Sequence, residues 1–216
     1  MSPMRSLSLA RLSGILVVLG AFGCGLISSD ITKVTFNLPT KHYTFNAQQY
    51  ALPPGTPNMA IPCGTCPSPL MCDSAVCSLH VPLSVSQSIN LKMEVPALSS
   101  VNTQTLADIT LESMSYSVNN TSNVRIPEID LYLAPMGTTD PSMATKFGSI
   151  PPIPAGTMAS GDVMKDPGAD ALFIMFGQNF GTPFNFIAAT TVVVPTGTNP
   201  TGMVDITING TIAAKL

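Results

Sequence analysis

Apolar and polar positions alternate along most of this chain, with the period of two that is typical of strands with one buried face. The pattern runs through residues 31–38 (ITKVTFNL), through 81–95 and again through 204–208. Stretches rich in Pro, Gly, Ser, Thr and Asn, which favour turns, separate the alternating segments. We therefore predict a mainly β fold of about seven to nine strands, either an antiparallel β-sandwich or a partly open barrel.

Residues 108–135 give the strongest hairpin signal in the sequence. The apolar positions change phase near Glu112 and Ser113, which predicts a β-bulge in the first strand. The polar run 119–123 predicts the turn, and an alternating segment that follows Ile-Pro predicts the return strand. A second turn signal at 196–200 predicts that the chain closes with another hairpin.

The strand, polar turn and Ile-Pro-led return of residues 108–135 resemble the sandwich domains of the late-embryogenesis-abundant and water-stress type. The resemblance covers about 30 residues and implies a fold rather than an activity.

One segment near the C-terminus has helical spacing instead. Asp166 and Pro167 suit an N-cap and a first helical residue, and Leu172, Phe176 and Phe180 recur four residues apart. We predict a short helix over about 167–179 that turns Phe176 and Phe180 into the core, with a buried strand as the alternative. The aromatic residues of this region would line an apolar-ligand cavity or form an ordinary core; they are Phe173, Phe176, Phe180, Phe184 and Phe186.

Four of the five cysteines lie in the short run CGTCPSPLMCDSAVC, at Cys63, Cys66, Cys72 and Cys77. They belong to a Pro- and Gly-rich loop, residues 50–77, that has little apolar content to hold it together. An even number of cysteines in an exported chain indicates disulfides. We predict two disulfides that staple this loop, and the spacing leaves all three pairings open.

Two other chemistries compete for the same cysteines. Four thiolates would suit a structural zinc, but only Cys63 and Cys66 have the spacing of a zinc knuckle. The same Cys-x-x-Cys pair has the form of a thiol–disulfide exchange motif, which needs a helix N-terminus to lower the pKa of the first thiol. Pro62, Pro67 and Pro69 disfavour such a helix, so disulfides remain the prediction.

The first residues are typical of an export signal. Arg5 and Arg11 precede an apolar run that is shorter than the ~20 residues needed to cross a bilayer, and small residues follow it. The exit Ala21-Phe22-Gly23-Cys24 resembles the lipobox of bacterial lipoproteins, although that motif has Leu where Ala21 stands and a small residue in place of Phe22. The resemblance implies that Cys24 is lipidated and becomes the mature N-terminus.

The predicted organisation has three parts. Residues 1–23 are a signal peptide, residues 24–29 are a lipidated N-terminus with a short tether, and residues 30–216 are a single β-rich domain that contains the 50–77 loop. Acyl chains on Cys24 give stable membrane attachment. Gly25 is not the Asp that retains many lipoproteins in the inner membrane, so the resemblance implies an outer-membrane location in the cell envelope. Ordinary signal cleavage and a retained anchor helix are the alternatives.

Composition excludes several classes of function. Removal of Arg5 and Arg11 changes the formal net charge from −3 to −5, and no basic stripe remains, so nucleic-acid binding is not expected. The two histidines, His42 and His80, belong to no nucleophile motif, and no Gly-rich phosphate loop precedes a helix. No cofactor is predicted.

The remaining candidate chemistry has plainer interpretations. Asp162, Asp166 and Asp170 lack the spacing of a calcium loop, and Glu128 with Asp130 is better explained as an exposed strand face than as a glycosidase pair. The 12 methionines are scattered, which favours core filling over copper binding.

The leading hypothesis is therefore a lipid-anchored envelope protein that acts as a non-catalytic structural or interaction module. Its partners would be the membrane, reached through the N-terminal lipid, and another envelope protein or a lipid. A carrier or sensor of an apolar, lipid-like ligand in the periplasm is the alternative. An enzyme is a third class, and the scarcity of grouped acid–base residues disfavours it.

Overall fold

The computed structural model describes residues 34–99, 108–177 and 181–215, which belong to one compact unit. Eleven strands in this part of the chain form two antiparallel sheets. The first sheet has the order β1/β2–β11–β5–β8, and the second has the order β3–β4–β10–β6–β7–β9. The sheets share no paired strand within the described ranges, so the predicted sandwich is confirmed and the open barrel is not formed.

The strands are β1 (Val34–Asn37), β2 (Lys41–Asn46), β3 (Met71–Asp73), β4 (Val76–Ile89), β5 (Asp108–Asn120), β6 (Ile129–Pro135), β7 (Thr145–Ile150), β8 (Thr157–Asp162), β9 (Met164–Lys165), β10 (Phe184–Pro195) and β11 (Met203–Lys215). The helices are α1 (Leu91–Glu94), α2 (Pro96–Ser99) and α3 (Ala169–Gly177). Two 3-10 turns, Ala47–Tyr50 and Pro141–Met143, complete the regular elements of the described chain.

The alternating segment 31–38 contains the first described strand, β1. Strands β1 and β2 both pair with β11, so they are one edge strand with a break at residues 38–40. The predicted bulge in β5 is also confirmed, because Thr211 pairs with Ser113 while Ile212 pairs with Leu111, which leaves Glu112 as the extra residue.

Both predicted hairpins are wrong. Strand β5 ends at Asn120 in the first sheet, whereas β6 pairs with β10 and β7 in the second sheet. Strands β10 and β11 likewise lie in different sheets. Two consecutive strands show the same apolar alternation whether they pair as a hairpin in one sheet or lie in the two facing sheets. In both cases each strand turns one face to the shared core.

The long alternating segment 81–95 also ends earlier than its pattern predicts. Strand β4 stops at Ile89, and Asn90 caps the single turn α1 by accepting a hydrogen bond from the Met93 N–H (3.1 Å). The Glu94 carboxylate accepts from the Asn90 N–H (3.0 Å) and pairs with the Lys41 ammonium (2.6 Å). This reciprocal capping stabilises a helical turn. The apolar and polar residues after Ile89 still alternate, but they do not form a strand.

The core lies between the sheets and is filled mainly by aliphatic residues with a few aromatic rings. The Phe147 ring meets Phe173 of α3 edge-on at 5.2 Å and Phe186 of β10 at 5.6 Å. Helix α3 begins at Ala169, two residues later than predicted, because Asp166 and Pro167 belong to a turn that Gly168 closes with a φ of +91°. No helix in the described ranges is long and apolar enough to cross a bilayer.

The methionines do not fill the core. Among the described residues only Met114 is buried, and the exposed large hydrophobic side chains are all methionines: Met59, Met71, Met93, Met136, Met143, Met158, Met164, Met175 and Met203. The prediction of core methionines is therefore wrong. The β-branched and leucine side chains of the strands supply the volume that the core needs, and the unbranched thioethers lie on edges, turns and helix surfaces.

Candidate functional site

The cysteine run folds into a disulfide-linked hairpin at one end of the second sheet. Strands β3 and β4 pair so that Cys72 faces Cys77, and each of these cysteines bonds to one of the two earlier cysteines. The disulfides are Cys63–Cys72 and Cys66–Cys77. The prediction of two disulfides is confirmed, and all four sulfur atoms are used. The loop 50–77 is nevertheless not wholly irregular, because it contains β3.

The turn of this hairpin has an unusual backbone. Ser74 and Ala75 have φ values of 50° and 76°, in the left-handed region that costs a non-glycine residue roughly 1–2 kcal/mol. The Ser74 hydroxyl donates to the Asp73 carboxylate (3.1 Å). The two residues that flank the turn segment, Cys72 and Cys77, are each held by a disulfide, which constrains the hairpin around this strained turn.

Hydrogen bonds join the base of the hairpin to β10. The Thr196 N–H donates to the Cys77 carbonyl (2.9 Å), and the Ile61 N–H donates to the Thr196 hydroxyl (2.8 Å). The Cys77 N–H in turn donates to the Ile61 carbonyl (2.8 Å). The cysteine loop is therefore fixed to the end of the second sheet.

A buried polar network holds the segment that faces this hairpin. The Asn120 side chain is fully buried and donates to the carbonyls of Val124 (2.9 Å) and Pro154 (3.0 Å). Its oxygen accepts from the N–H (3.0 Å) and the hydroxyl (2.6 Å) of Ser122. Every hydrogen-bonding atom of this amide has a partner, so the start of the β5–β6 crossing is well fixed.

The residues that follow alternate between core and surface. Val124 and Ile126 are buried, and Ile126 forms a two-way backbone bridge with Ile153 at 2.9 Å. Arg125 is exposed and Pro127 is half-buried on the opposite side of the segment. The alternation of this segment therefore directs the Arg125 guanidinium away from the core.

The hairpin and the crossing segment enclose an open groove of about 420 Å³ at the end of the second sheet. Its lining residues are Asp73, Ser74, Val76, Ser78, Arg125, Pro127, Pro152, Val193 and Pro195. The volume falls within the ~300–1,000 Å³ range of small-ligand sites. Three prolines and a disulfide-linked turn make its walls rigid, which reduces the entropy lost on binding.

Arg125 gives the groove its distinctive charge. Within the described ranges the guanidinium makes no ion pair, and the Asp73 carboxylate on the opposite wall bonds only the Ser74 hydroxyl. An unpaired guanidinium presents a fork of donors that suits a carboxylate or phosphate. No sequence motif marked this residue; the only signal was a lone arginine in the alternating run Val-Arg-Ile-Pro.

The carboxylates Glu128 and Asp130 next to the groove serve an ion-pair cluster. The Lys146 ammonium lies 2.7 Å from Asp130 and 3.5 Å from Glu128. The hydrogen bond to Asp130 raises the pKa of Lys146, whereas burial raises the pKa of the neighbouring Tyr132. The interpretation of this carboxylate pair as a polar strand face therefore agrees with the contacts.

The candidate aromatic cluster is packed rather than hollow. Phe173, Phe184 and Phe186 are buried, and Phe176 is only partly buried, with its ring 5.4 Å from that of Phe184. The space beside these rings has a volume of about 10 Å³, which is about the room one water needs. The buried aromatic side chain of α3 is thus Phe173, not Phe176, because the fully buried face of the helix carries Ala169 and Phe173, four residues apart.

Some of the residues named in the sequence predictions lie outside the part of the chain that the structure describes. They are Cys24, the signal segment, the tether and Phe180. In the described ranges no group of three or more His, Cys, Asp or Glu side chains is arranged to hold a metal ion. His42 contacts the Thr207 hydroxyl on a strand surface (3.2 Å), while the Nε2 atom of His80 is buried without a hydrogen-bond partner in this part of the chain.

Comparison with known proteins adds no assignment. No protein-family model and no curated protein matches the chain. A structure of Desmodium yellow mottle tymovirus is 11% identical, covers 76% of this chain and 92% of its own, and has a TM-score of 0.26. A structure of turnip yellow mosaic virus is 15% identical, covers 73% and 88%, and has a TM-score of 0.24. A structure of carbohydrate-binding modules from the β-sandwich superfamily is 10% identical, covers 82% and 54%, and has a TM-score of 0.29. Likeness at this level carries no argument about function.

Proposed function

We propose that this protein is an exported, lipid-anchored β-sandwich of the cell envelope that acts as a non-catalytic interaction module. The observation that carries the proposal is the rigid groove of about 420 Å³ with the unpaired guanidinium of Arg125 on its wall. Two disulfides support the exported location, because such bonds persist in oxidising compartments. The lipobox-like exit at Cys24 supports attachment to the outer membrane.

A carrier of an apolar ligand is less well supported. The apolar spaces in the core, beside the aromatic rings and beside Tyr50, have volumes of about 10 Å³ each. An acyl chain would therefore have to displace packed side chains. The proposed module needs no such rearrangement, because its binding surface is already open.

Lipid attachment is tested by the change Cys24→Ala. The unchanged protein should fractionate with the outer membrane, and its mature N-terminal peptide should carry acyl chains by mass spectrometry. The variant should lose the acylated peptide and should no longer be in the outer-membrane fraction. An unmodified N-terminal peptide in the parent protein would refute lipid anchoring.

The interaction role needs a separate test on the same membranes. The native, detergent-extracted protein is crosslinked, and the crosslinked envelope components are identified. Recovery of a protein partner in stoichiometric amount is the expected result. Recovery of the protein with bound lipid alone would favour the carrier, and recovery with neither would refute both roles.

A further inference from the structure

Strand β10 has a free main-chain edge inside the groove. Strand β6 pairs with β10 only over residues Phe184–Ala189. Beyond that point β6 diverges, and the Thr190 hydroxyl bonds the Glu128 carbonyl instead (2.8 Å). No strand in the described ranges runs beside residues 191–195 on this side of β10, although β4 continues on the other side.

The register shows which main-chain groups face the gap. The Thr196 N–H donates to the Cys77 carbonyl (2.9 Å), so alternate residues before Thr196 also direct their N–H and C=O groups to β4. Thr191, Val193 and Pro195 therefore direct theirs to the opposite side, away from β4, and Val193 and Pro195 line the groove.

Two prolines agree with this assignment. The nitrogen of Pro195 faces the unpaired side of β10, away from β4. Its missing N–H therefore removes no hydrogen bond between β4 and β10. Pro82 pairs with Thr191 across the ladder, and its nitrogen likewise faces away from β10. Proline is tolerated in a sheet only where its nitrogen faces an unpaired side.

These groups select a type of ligand. Unpaired N–H and C=O groups at strand spacing bind an added strand by main-chain hydrogen bonds. A sugar or a lipid headgroup does not repeat donors and acceptors at that spacing. The Arg125 guanidinium, on the wall that faces this edge, adds a requirement for a negative group, and in a polypeptide that group is a carboxylate.

We propose that the groove binds an extended, carboxylate-bearing segment of a partner polypeptide. Its main chain would pair with Thr191 and Val193 at the free edge of β10, and its carboxylate would bind Arg125. This inference rests on the proposed role as an interaction module and names the chemistry of the partner.

The test uses three matched peptides on the purified full chain in detergent. The first is a short Thr/Val peptide that carries one Asp. In the second, Asn replaces the Asp and the C-terminus is amidated, so the carboxylates are absent. The third keeps the Asp but has N-methylated amides at alternate positions, which blocks strand pairing and retains the charge.

The first peptide should bind, and fluorescence anisotropy of a labelled copy should give an affinity at least about tenfold higher than that of the carboxylate-free peptide. The N-methylated peptide should not bind measurably. Hydrogen exchange should slow at the amides of Thr191 and Val193 when the first peptide is added, because those N–H groups gain partners.

Variants identify the charged contact. Arg125→Gln should remove the preference for the carboxylate while the weaker, main-chain binding remains, and this exposed change should not affect folding. Lys92→Gln removes an exposed positive charge from α1, outside the groove, and should leave both affinities unchanged.

Each other outcome overturns the proposal. Equal binding of the N-methylated peptide would exclude strand addition, and an unchanged preference in Arg125→Gln would exclude the guanidinium contact. Absence of binding by the first peptide would reject the site. If the Arg125→Gln variant still crosslinks to an envelope protein while the peptides do not bind, the proposed site is wrong and the interaction role stands. If the unchanged protein forms no crosslink to another protein, the interaction role itself is refuted.

Discussion

Asn120 provides the sharpest test of how the groove is held, because its buried amide makes four hydrogen bonds. Replacement by Ala removes the two donors to the Val124 and Pro154 carbonyls and the acceptor for Ser122. At about 1 kcal/mol of net stability for each bond, the loss would be about 4 kcal/mol. In the variant the single proton of the Ser122 hydroxyl turns from the lost Asn120 oxygen to the Val124 carbonyl (3.0 Å), which keeps one of these groups satisfied. We therefore expect a loss of about 3 kcal/mol in the free energy of unfolding.

The neighbouring asparagine is a matched control. Asn119 lies one position earlier on β5, is partly exposed on the outer face of the first sheet and has no side-chain hydrogen bond in the described structure. Asn119→Ala should change stability by less than about 0.5 kcal/mol. Urea unfolding, followed by far-ultraviolet circular dichroism with the disulfides intact, gives both values. For a domain of this size a loss of about 3 kcal/mol corresponds to roughly 6–12 °C in Tm.

The change Asn120→Asp separates hydrogen bonding from packing. It keeps the shape and the acceptor for Ser122 but places a carboxylate against the Val124 and Pro154 carbonyls. The variant should therefore be destabilised at neutral pH despite its equal volume. A loss below about 1 kcal/mol in Asn120→Ala, or parent-like stability in Asn120→Asp, would refute the role given to this amide.

Further predictions concern the core and the disulfides. Phe173→Ala should cost about 3–5 kcal/mol by urea unfolding, and Phe176→Ala clearly less, since only Phe173 is buried; equal losses would contradict the placement of α3. Burial raises the pKa of Tyr50 to about 12 and also raises that of Tyr43, whereas an unfolded tyrosine titrates near 10.0. Stability should therefore fall as pH rises from 10.0 to about 12, with these two hydroxyls ionising only on unfolding; their ionisation in the folded protein near pH 10.0, followed by near-ultraviolet absorbance, would contradict their burial. Reduction of the two disulfides should raise the protease sensitivity of the cysteine loop and leave the circular dichroism of the sheets largely unchanged; loss of both together would make the disulfides essential to the whole fold.

The strands and the bulge were predictable because burial of one sheet face leaves a local trace in the sequence. Every second side chain of β5 is apolar and enters the core. The extra residue Glu112 shifts this alternation by one position, which is visible in the sequence. The cysteine pairs were also a local signal, since all four lie within one loop. Their pairing was not readable, because it depends on the register that places Cys72 opposite Cys77.

The sheet crossings could not be predicted from alternation. The polar run after Asn119 contains the same residue types as a hairpin turn, yet the Asn120 side chain is buried and bonds Pro154 from a later connection. That contact joins residues 34 positions apart. The start of α1 was missed for a related reason, because the capping carboxylate of Glu94 is held by Lys41 from a distant strand.

The groove arises from the same crossing that the local pattern missed. A β5–β6 hairpin would have placed β6 beside β5 in the first sheet, whereas the observed crossing brings β6 to β10 from the facing sheet. The Asn120 network and the Ile126–Ile153 bridge hold the segment that leads into β6, and β6 pairs with β10 only as far as Ala189. The remaining edge of β10 then lies open between the crossing segment and the disulfide hairpin. The Asn120–Pro154 hydrogen bond and the Ile126–Ile153 bridge, which fix the crossing segment, are non-local, so the candidate site could be recognised only in the folded chain.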